Sequence, residues 1–189
     1  MPGLTRQTDP RLKTIVNAPA ESTVVPPVAP PVAPPAPPLP AHAPSIRALT
    51  LRECEEVLHR NTVGRLAFSI DGHVDVQPLH FVYEDGWIYG RTAFGAKITA
   101  LRHSHWVAFE VDETDAVFDW RSVVVRGGLY FLEPDGTRAE QEDRRLALGL
   151  LSRIVPATGT AADPVPARTI VFRIHAAEIT GRVATPASF

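Results

Sequence analysis

The sequence contains a single cysteine, Cys54, among its 189 residues. One cysteine cannot form an intramolecular disulfide, so we expect a reducing, cytoplasmic location. An excess of positive charge is missing as well, because residues 46–189 carry 16 basic and 19 acidic side chains, a net charge of −3. Domains that bind nucleic acids usually carry a basic field, so we expect no nucleic acid partner.

The first part of the chain lacks large side chains. All 14 aromatic residues lie after residue 67, whereas 13 of the 19 prolines lie before residue 45. A segment without aromatic residues and rich in proline cannot bury enough apolar surface to fold. We therefore predict a disordered, Pro-rich N-terminal tail over residues 1–45. The remaining 144 residues, 46–189, have the usual size of one folded domain.

An uncharged stretch of the tail, residues 24–40, has 9 prolines among its 17 residues. Proline cannot form a membrane-spanning helix, so we expect extended polyproline geometry and no membrane association. Two roles remain open for the tail. It is either a spacer, which is the simpler interpretation, or a ligand for a proline-binding module.

Several common functional motifs are also missing. The chain has no G-x-G-x-x-G, no Walker A loop, no G-x-S-x-G elbow and no H-E-x-x-H helix. His103 and His105 lie two residues apart without a third candidate ligand nearby, so we expect loop histidines and no metal site. Cys54 lies on an apolar helical face and is interpreted as a buried small side chain.

The apolar pattern of the folded part predicts a mainly β domain. Runs rich in β-branched and aromatic residues, some separated by Asp-Gly turns, indicate antiparallel strands. Capping-box spacings at Thr50–Glu53 and Thr137–Glu140 indicate two helix starts. No regular βαβ rhythm is present, which favours a closed or partly closed antiparallel barrel. We predict six strands, over residues 63–70, 73–83, 87–91, 106–111, 118–132 and 168–181, and three helices, over 51–59, 95–103 and 137–153.

One segment, residues 77–97, combines a strand, a tight hairpin, a second strand and a turn into a helix. Arg91 and Thr92 end the second strand, and Lys97 lies in the first turn of the helix. Two cations, a hydroxyl and free backbone N–H groups at one point can bind a phosphate. These residues alone fit equally well with solvated surface charges.

Five blocks of sequence together resemble the pyridoxamine 5′-phosphate oxidase superfamily, the FMN-binding split barrels. Within that superfamily the chain is similar to the branch of the nitroimidazole-resistance proteins. The resemblance covers residues 49–182 and implies a six-stranded antiparallel split β-barrel of the FMN-binding type. The blocks are Gly64-Arg-Leu-Ala-Phe68, Pro78-Leu-His-Phe-Val-Tyr-Glu-Asp-Gly86, Gly95-Ala-Lys97, Phe109-Glu-Val-Asp112 and Trp120-Arg-Ser-Val-Val-Val-Arg-Gly127.

The resemblance also implies a cofactor and an assembly. Proteins of this family hold FMN in a groove at the interface of a homodimer, and many are oxidoreductases that act on a small-molecule substrate. The flavin is redox-active by itself, so no catalytic acid or base is implied. By resemblance, the phosphate contacts are Lys97, Arg91 and Thr92, the residues that line the ring are Leu79, His80 and Phe81, and those approaching from the second subunit or the groove edge are Trp120, Arg121 and Ser122.

The chain departs from the family at two positions. Arg91 stands where the nitroimidazole-resistance branch usually has a histidine, and Ala96 stands where the true oxidases have an arginine. A guanidinium can bind phosphate bidentately, so Arg91 could replace the lost contact. Three alternatives stay open beside an FMN-dependent oxidoreductase. Two concern the cofactor, which could be a deazaflavin or haem in place of FMN. The third concerns the role, which could be that of a store, sensor or scavenger that binds its cofactor without turnover.

Overall fold

A computed structural model of the protein describes residues 43–70 and 72–187, and it leaves the side chains of residues 96, 97 and 100 undescribed. Strands dominate the described residues, and three helices accompany them. In chain order, the elements are β1 (Ser45–Ala48), α1 (Leu51–Arg60), β2 (Val63–Ile70), β3 (His73–Glu84), β4 (Trp87–Thr92), α2 (Ala96–His103), β5 (Trp106–Ala116), β6 (Asp119–Phe131), α3 (Arg138–Leu151), β7 (Ile170–His175) and β8 (Glu178–Thr185).

Six of the strands close into a ring in the order β6-β5-β2-β3-β4-β7, and β7 returns to β6. The closure depends on β6, which is long enough to change partner along its length. Residues 120–126 of β6 pair with β8, and residues 129–131 pair with β7. All of these pairings are antiparallel, and β8 and β1 extend the sheet beyond the ring. The predicted mainly β, six-stranded antiparallel split barrel is confirmed.

The end of the chain differs from the prediction. The single strand predicted over residues 168–181 is two strands, β7 and β8, interrupted at Ala176 and Ala177. The backbone N–H of Ala177 donates to the carbonyl of His175 at 2.9 Å, which closes a three-residue turn. Because the two strands pair with successive parts of β6, the turn lets the chain move from one part to the other. Strand β1 was not predicted either, since four residues give little periodic signal.

Both predicted capping boxes are present. Thr50 accepts from the backbone N–H of Glu53 at 3.3 Å, and the Glu53 carboxylate accepts from the backbone N–H of Thr50 at 2.7 Å. Thr137 and Glu140 repeat the same pair of bonds at the start of α3. Each box satisfies backbone donors that the first helical turn leaves without partners. Helices α1 and α3 therefore begin where their local sequences predict.

The core of the ring consists of large apolar side chains that are fully buried. Phe81 and Phe109 pack edge to face with their ring centroids 4.9 Å apart, and neither is exposed. Glycines on two strands make room for such rings. A Cβ on Gly64 would lie 2.4 Å from the Phe109 ring, and one on Gly90 would lie 2.6 Å from the Phe172 ring. The aromatic rings thus pack directly against the backbone of their neighbours.

Parts of the sequence-based predictions lie outside the described residues. Residues 1–42 of the predicted tail are among them, and so is Asp71 of the predicted Asp-Gly turn. Strand β1 begins at Ser45, the last residue assigned to the tail. No helix in the described part of the chain is long and apolar enough to cross a membrane.

Candidate functional site

A cavity of about 330 Å³ lies at the point where β2, β3, β4 and β7 meet helix α2 and the end of β6. We call it the first cavity. Its walls are largely apolar, with arginine and threonine side chains at one side. The lining residues are Leu66, Gln77, Pro78, Leu79, Arg91, Thr92, Ala93, Leu101, Phe131, Arg168 and Phe172.

Strand β4 brings two predicted phosphate contacts, Arg91 and Thr92, into this wall. The register of β4 against β7 pairs Arg91 with Val171 and Thr92 with Ile170. Strand β4 is paired on both sides, with β3 and β7, and these two polar residues are only 5% and 7% exposed. They are parts of the cavity wall, whereas solvated surface charges would be exposed.

The guanidinium of Arg91 already has a carboxylate partner, Asp163, in the segment before β7. Its Nη1 and Nη2 donate to the two carboxylate oxygens of Asp163, the second bond being 2.9 Å long. Asp163 also accepts from the backbone N–H of Gly159 at 2.7 Å and of Val165 at 2.9 Å. The bonds from Arg91 first, and then those from the backbone, hold the pKa of Asp163 well below its usual range. The bidentate fork that could have bound a phosphate is therefore occupied.

A second arginine, Arg168, lines the first cavity and was not predicted. Its side chain is half-buried, and no described residue provides it with a carboxylate partner. Arg168 reaches the cavity because it lies two residues before β7, which pairs with β4. That pairing joins positions some 80 residues apart in the sequence, so no local sequence pattern predicts it. The charge of Arg168 is free to act on a ligand in the cavity.

The three residues expected to line a flavin ring do not lie on one common surface in the structure. Leu79 lines the first cavity and is 8% exposed. Phe81 points to the same side of β3 but lies deeper, packed on Phe109 in the core. His80 between them is exposed, since successive side chains of a strand alternate between faces. The side chain of Leu79 is thus available to a ligand in the cavity, and that of Phe81 is not.

Trp120 and Ser122 line a different depression, a groove of about 630 Å³ on the outer face of β6 and β8. We call it the β6–β8 groove, and it shares no lining residue with the first cavity. Ser122 Oγ donates to Glu110 at 3.2 Å. Arg121 follows Trp120 and precedes Ser122 in the sequence, and its Nη1 lies 4.0 Å from Oε2 of Glu113. One chain therefore does not bring these three residues together with Leu79 and Thr92.

Lys97 is the remaining predicted phosphate contact. Its backbone lies in the first turn of helix α2, which begins at Ala96, as the sequence predicts. Its side chain lies outside the described part of the structure. The proposed contact between Lys97 and a phosphate stays a prediction.

Comparison with known proteins identifies the family. The model of the pyridoxamine 5′-phosphate oxidase family matches residues 50–183. An FAD-binding protein from Mesorhizobium loti is 33% identical to the chain, with a TM-score of 0.61, and the match covers 74% of this chain and 98% of that one. A Corynebacterium diphtheriae protein of unknown function is 27% identical, with a TM-score of 0.56 and the same two coverages of 74% and 98%.

More distant structures share the fold. A candidate 5-nitroimidazole antibiotic resistance protein from Bacteroides thetaiotaomicron has a TM-score of 0.56 at 19% identity, and the match covers 74% of this chain and 89% of that one. No curated protein sequence matches the chain. The family model matches residues 50–183, and the Mesorhizobium loti relative is 33% identical over 98% of its own chain. The chain therefore belongs to the pyridoxamine 5′-phosphate oxidase family.

Proposed function

We propose that the protein is a flavin-dependent oxidoreductase that binds the FMN moiety of its cofactor at the first cavity. The observation that carries the proposal is the half-buried guanidinium of Arg168, which lines an apolar cavity without a carboxylate partner among the described residues. A phosphate group is a suitable anion for such a guanidinium. The relative from Mesorhizobium loti, which is 33% identical, is an FAD-binding protein.

The residues present fit the group. Leu79, Leu101 and Phe131 provide apolar surface for part of a planar ring, while Thr92 and Arg168 provide polar groups on the same wall. The cavity volume, about 330 Å³, is at the lower end of the range for small-molecule sites. One chain therefore covers only part of a flavin.

The bound flavin would supply the electron transfer itself. The protein's own residues would bind and orient it. Arg168 and Thr92 hold the phosphate, with Lys97 as a further contact, and Leu79 excludes water from one edge of the ring. Arg91 acts through Asp163, because this ion pair fixes the segment that precedes β7. The electron donor we propose is a reduced nicotinamide, and the acceptor is a small organic molecule.

We further propose that the protein is a cytoplasmic homodimer in which the second copy completes the site. The β6–β8 groove exposes part of Trp120 on an outer face, and the family resemblance assigns Trp120, Arg121 and Ser122 to the approach from a second subunit. A partly exposed tryptophan in a groove of this size is a typical anchor of an interface. A second copy at this groove would cover the part of the flavin that the first cavity leaves open.

The proposal is tested by the absorbance spectrum of the purified protein and by titration with FMN. We expect a flavin spectrum, reduction by NADH or NADPH, and reoxidation by a small acceptor. Replacing Arg168 by Gln removes a charge-assisted contact, so FMN affinity should fall about tenfold to a hundredfold. Arg153→Gln removes an exposed positive charge outside the cavity and serves as the matched control.

Two results would contradict the proposal in different ways. A protein that stays colourless and gains no flavin spectrum on addition of FMN does not bind the cofactor. Flavin binding without reduction by either nicotinamide, or without reoxidation by any acceptor, would replace the oxidoreductase by a binding protein. Equal losses of affinity in Arg168→Gln and Arg153→Gln would show that Arg168 acts through general electrostatics and not as a phosphate contact.

A further inference from the structure

A second cavity, of about 290 Å³, lies between helix α3, the segment before β7, and β7 itself. Successive side chains of β7 alternate between its two faces, so Val171 lines this cavity whereas Phe172 lines the first one. The two cavities therefore lie on opposite faces of the pairing between β4 and β7. The second cavity is lined by Arg91, Arg144, Leu148, Gly159, Thr160, Asp163, Pro166, Arg168, Thr169 and Val171.

The charges around the second cavity do not balance. Three arginines line it against one aspartate, and Arg91 binds that aspartate, Asp163, bidentately. Arg144 and Arg168 remain, both half-buried and neither with a carboxylate partner among the residues described. Partly desolvated cations of this kind are costly unless an anion is close. The arrangement therefore suits a ligand with negative charge.

Arg144 is held in position without being neutralised. It lies on helix α3, and it donates to the carbonyl of Leu132 at 2.8 Å and to that of Thr169 at 3.5 Å. Its neighbour in the sequence, Asp143, is bound to Arg173 at 2.8 Å. A guanidinium has five N–H donors, so three donors of Arg144 remain for a ligand. Its orientation is fixed before a ligand arrives, which lowers the entropic cost of binding.

The segment before β7, which forms another wall of the second cavity, is fixed as well. Asp163 accepts from the backbone N–H of Gly159 and of Val165 and so holds the residues between them. Thr160 Oγ1 donates to the carbonyl of Ala157 at 2.8 Å. A ligand therefore meets a preformed cavity with a net positive wall.

The two arginines without a carboxylate partner suit a phosphate group better than a single carboxylate. A phosphate monoester carries a charge of about −1.5 to −2 at pH 7, which matches two guanidinium groups. Its oxygens point in several directions, so it can accept from Arg144 on α3 and from Arg168 before β7 at the same time. The cavity volume, about 290 Å³, is close to the lower end of the range for small-molecule sites and fits a small ligand.

We propose that the second cavity binds a phosphate group that does not belong to the cofactor, either free phosphate or the phosphate of a small phosphorylated molecule. Because Arg168 lines both cavities, this ligand and the FMN phosphate compete for it, and each weakens the binding of the other. The competition rests on the proposed function, in which Arg168 holds the FMN phosphate in the first cavity. The phosphate site itself does not, because Arg144 lines the second cavity and not the first.

Isothermal titration calorimetry of the full chain, in a buffer free of phosphate and sulfate, tests the site with inorganic phosphate and glycerol 3-phosphate as probes. We expect Arg144→Gln to weaken the binding of both about tenfold to a hundredfold. Arg144→Lys keeps the charge and should restore part of the loss. Arg145→Gln, at the exposed neighbour on the same helix, is the matched control and should leave the affinity unchanged. Circular dichroism checks that the variants fold.

A further variant, Thr92→Val, shows which cavity holds the probe. Thr92 lines the first cavity but not the second, so phosphate binding should survive this change. Binding that is lost in Thr92→Val and retained in Arg144→Gln would place the phosphate in the first cavity and overturn the inference. No phosphate binding to the wild type, or equal losses in Arg144→Gln and Arg145→Gln, would overturn it too. Succinate that binds as tightly as both phosphates would overturn the assignment to phosphate.

The two probes separate the two sources of the phosphate group. Glycerol 3-phosphate that binds at least tenfold more tightly than inorganic phosphate would identify the ligand as a small phosphorylated molecule. Equal or weaker binding would identify it as free phosphate.

FMN titrations with and without saturating inorganic phosphate measure the competition for Arg168. We expect phosphate to lower FMN affinity severalfold in the wild type and to have no such effect in Arg144→Gln. An FMN affinity that phosphate does not change would overturn the competition and leave the phosphate site. Absence of FMN binding would contradict the proposed function and the competition with it, whereas the phosphate titrations would still decide the site.

Discussion

The first cavity and the β6–β8 groove differ in how their walls are made. Leu79, Arg91 and Thr92 line the cavity and are each no more than 8% exposed, because β3 and β4 belong to the closed ring. Trp120 and Ser122 line the groove on the outer face of β6, and both are more exposed. The ring therefore shapes the cavity within one chain. The groove is an open surface, and we propose that a second copy covers it.

Strand β6 connects these two regions, because its first half borders the groove and its last residue, Phe131, lines the cavity. The change of partner from β8 to β7 falls at Gly127 and Gly128. We call Gly127 and Gly128 the junction. The difference between the cavity and the groove can be tested at the junction, in the cavity wall, in the groove and on the outer face of β3. The expected effects decrease in that order.

The largest effect is expected for Gly127→Ala. A Cβ at this position would lie 1.7 Å from the backbone carbonyl oxygen of His175, and backbone cannot move aside as a side chain can. The variant must displace the turn between β7 and β8, where the ring closes. We expect a loss of more than about 3 kcal/mol in the free energy of unfolding, measured by urea denaturation.

Gly149→Ala is the control for that variant. Gly149 lies in helix α3, and a Cβ there would meet no atom within 4 Å. Alanine is the better helix former, so this variant should gain about 0.5–1 kcal/mol. If Gly127→Ala is as stable as the wild type, the close contact at the junction is not a constraint of the fold.

The second effect concerns the ion pair of Arg91 and Asp163 in the cavity wall. Because the folded protein lowers the pKa of Asp163, its ionised form stabilises the fold above the unfolded pKa of about 3.9, and this stability is lost as the pH falls towards the lower folded value. We expect Asp163→Asn to lower the melting temperature by several degrees at pH 7. Below pH 4 the difference from wild type should shrink.

Thermal melts between pH 2.5 and pH 8 measure this effect, with Asp135→Asn as the control. Asp135 lies in the exposed turn before α3 and has no described ion-pair partner, so Asp135→Asn should leave the melting temperature at pH 7 unchanged. A constant difference between wild type and Asp163→Asn at all pH values would show that the carboxylate does not act through its charge.

How much of this site the sequence predicts depends on how local each contact is. Thr50 and Glu53 are three residues apart, and the capping box they form is present as predicted. Arg91 and Thr92 end their strand as expected. Asp163, by contrast, is 72 residues from Arg91. Nothing near Arg91 in the sequence indicates this partner, so Arg91 was predicted as a phosphate contact and its ion pair was missed.

Arg168 was missed for a related reason. Its residue type suits a phosphate site as well as Arg91 does, but it lies far from the segment 77–97 that carries the family motifs. Only the pairing of β4 with β7 brings it to the cavity. The side chain of Phe81 was assigned to a flavin ring by resemblance. Strand alternation predicts that it shares a side with Leu79, but not that Phe109 covers it.

The third effect tests whether the groove is an interface. Trp120→Ala should leave the unfolding of the single chain nearly unchanged and weaken self-association by about 2 kcal/mol, as expected for a tryptophan that anchors an interface. Analytical ultracentrifugation over a dilution series would detect this as an increase of about thirtyfold in the dissociation constant.

Val117→Ala is the control, because Val117 is 80% exposed in the turn between β5 and β6 and does not line the groove. It should leave the dissociation constant unchanged. A wild-type protein that stays monomeric at high micromolar concentration would contradict the proposed homodimer without affecting the first cavity.

The smallest effect is expected for His80, which lies between Leu79 and Phe81 on β3 but on the exposed face. His80→Ala should change the free energy of unfolding by less than about 0.5 kcal/mol, whereas Leu79→Ala, on the buried face, should cost about 2–5 kcal/mol and weaken FMN binding.

The family resemblance places His80 at the flavin, whereas the structure places it on the outer face of β3, away from the first cavity. FMN affinity of the His80→Ala variant separates these two interpretations. An unchanged affinity means that the first cavity binds the ring from inside the barrel. A loss of tenfold or more in His80→Ala, with unfolding unaffected, would mean that the ring lies against the outer face of β3, where a second copy must complete the site.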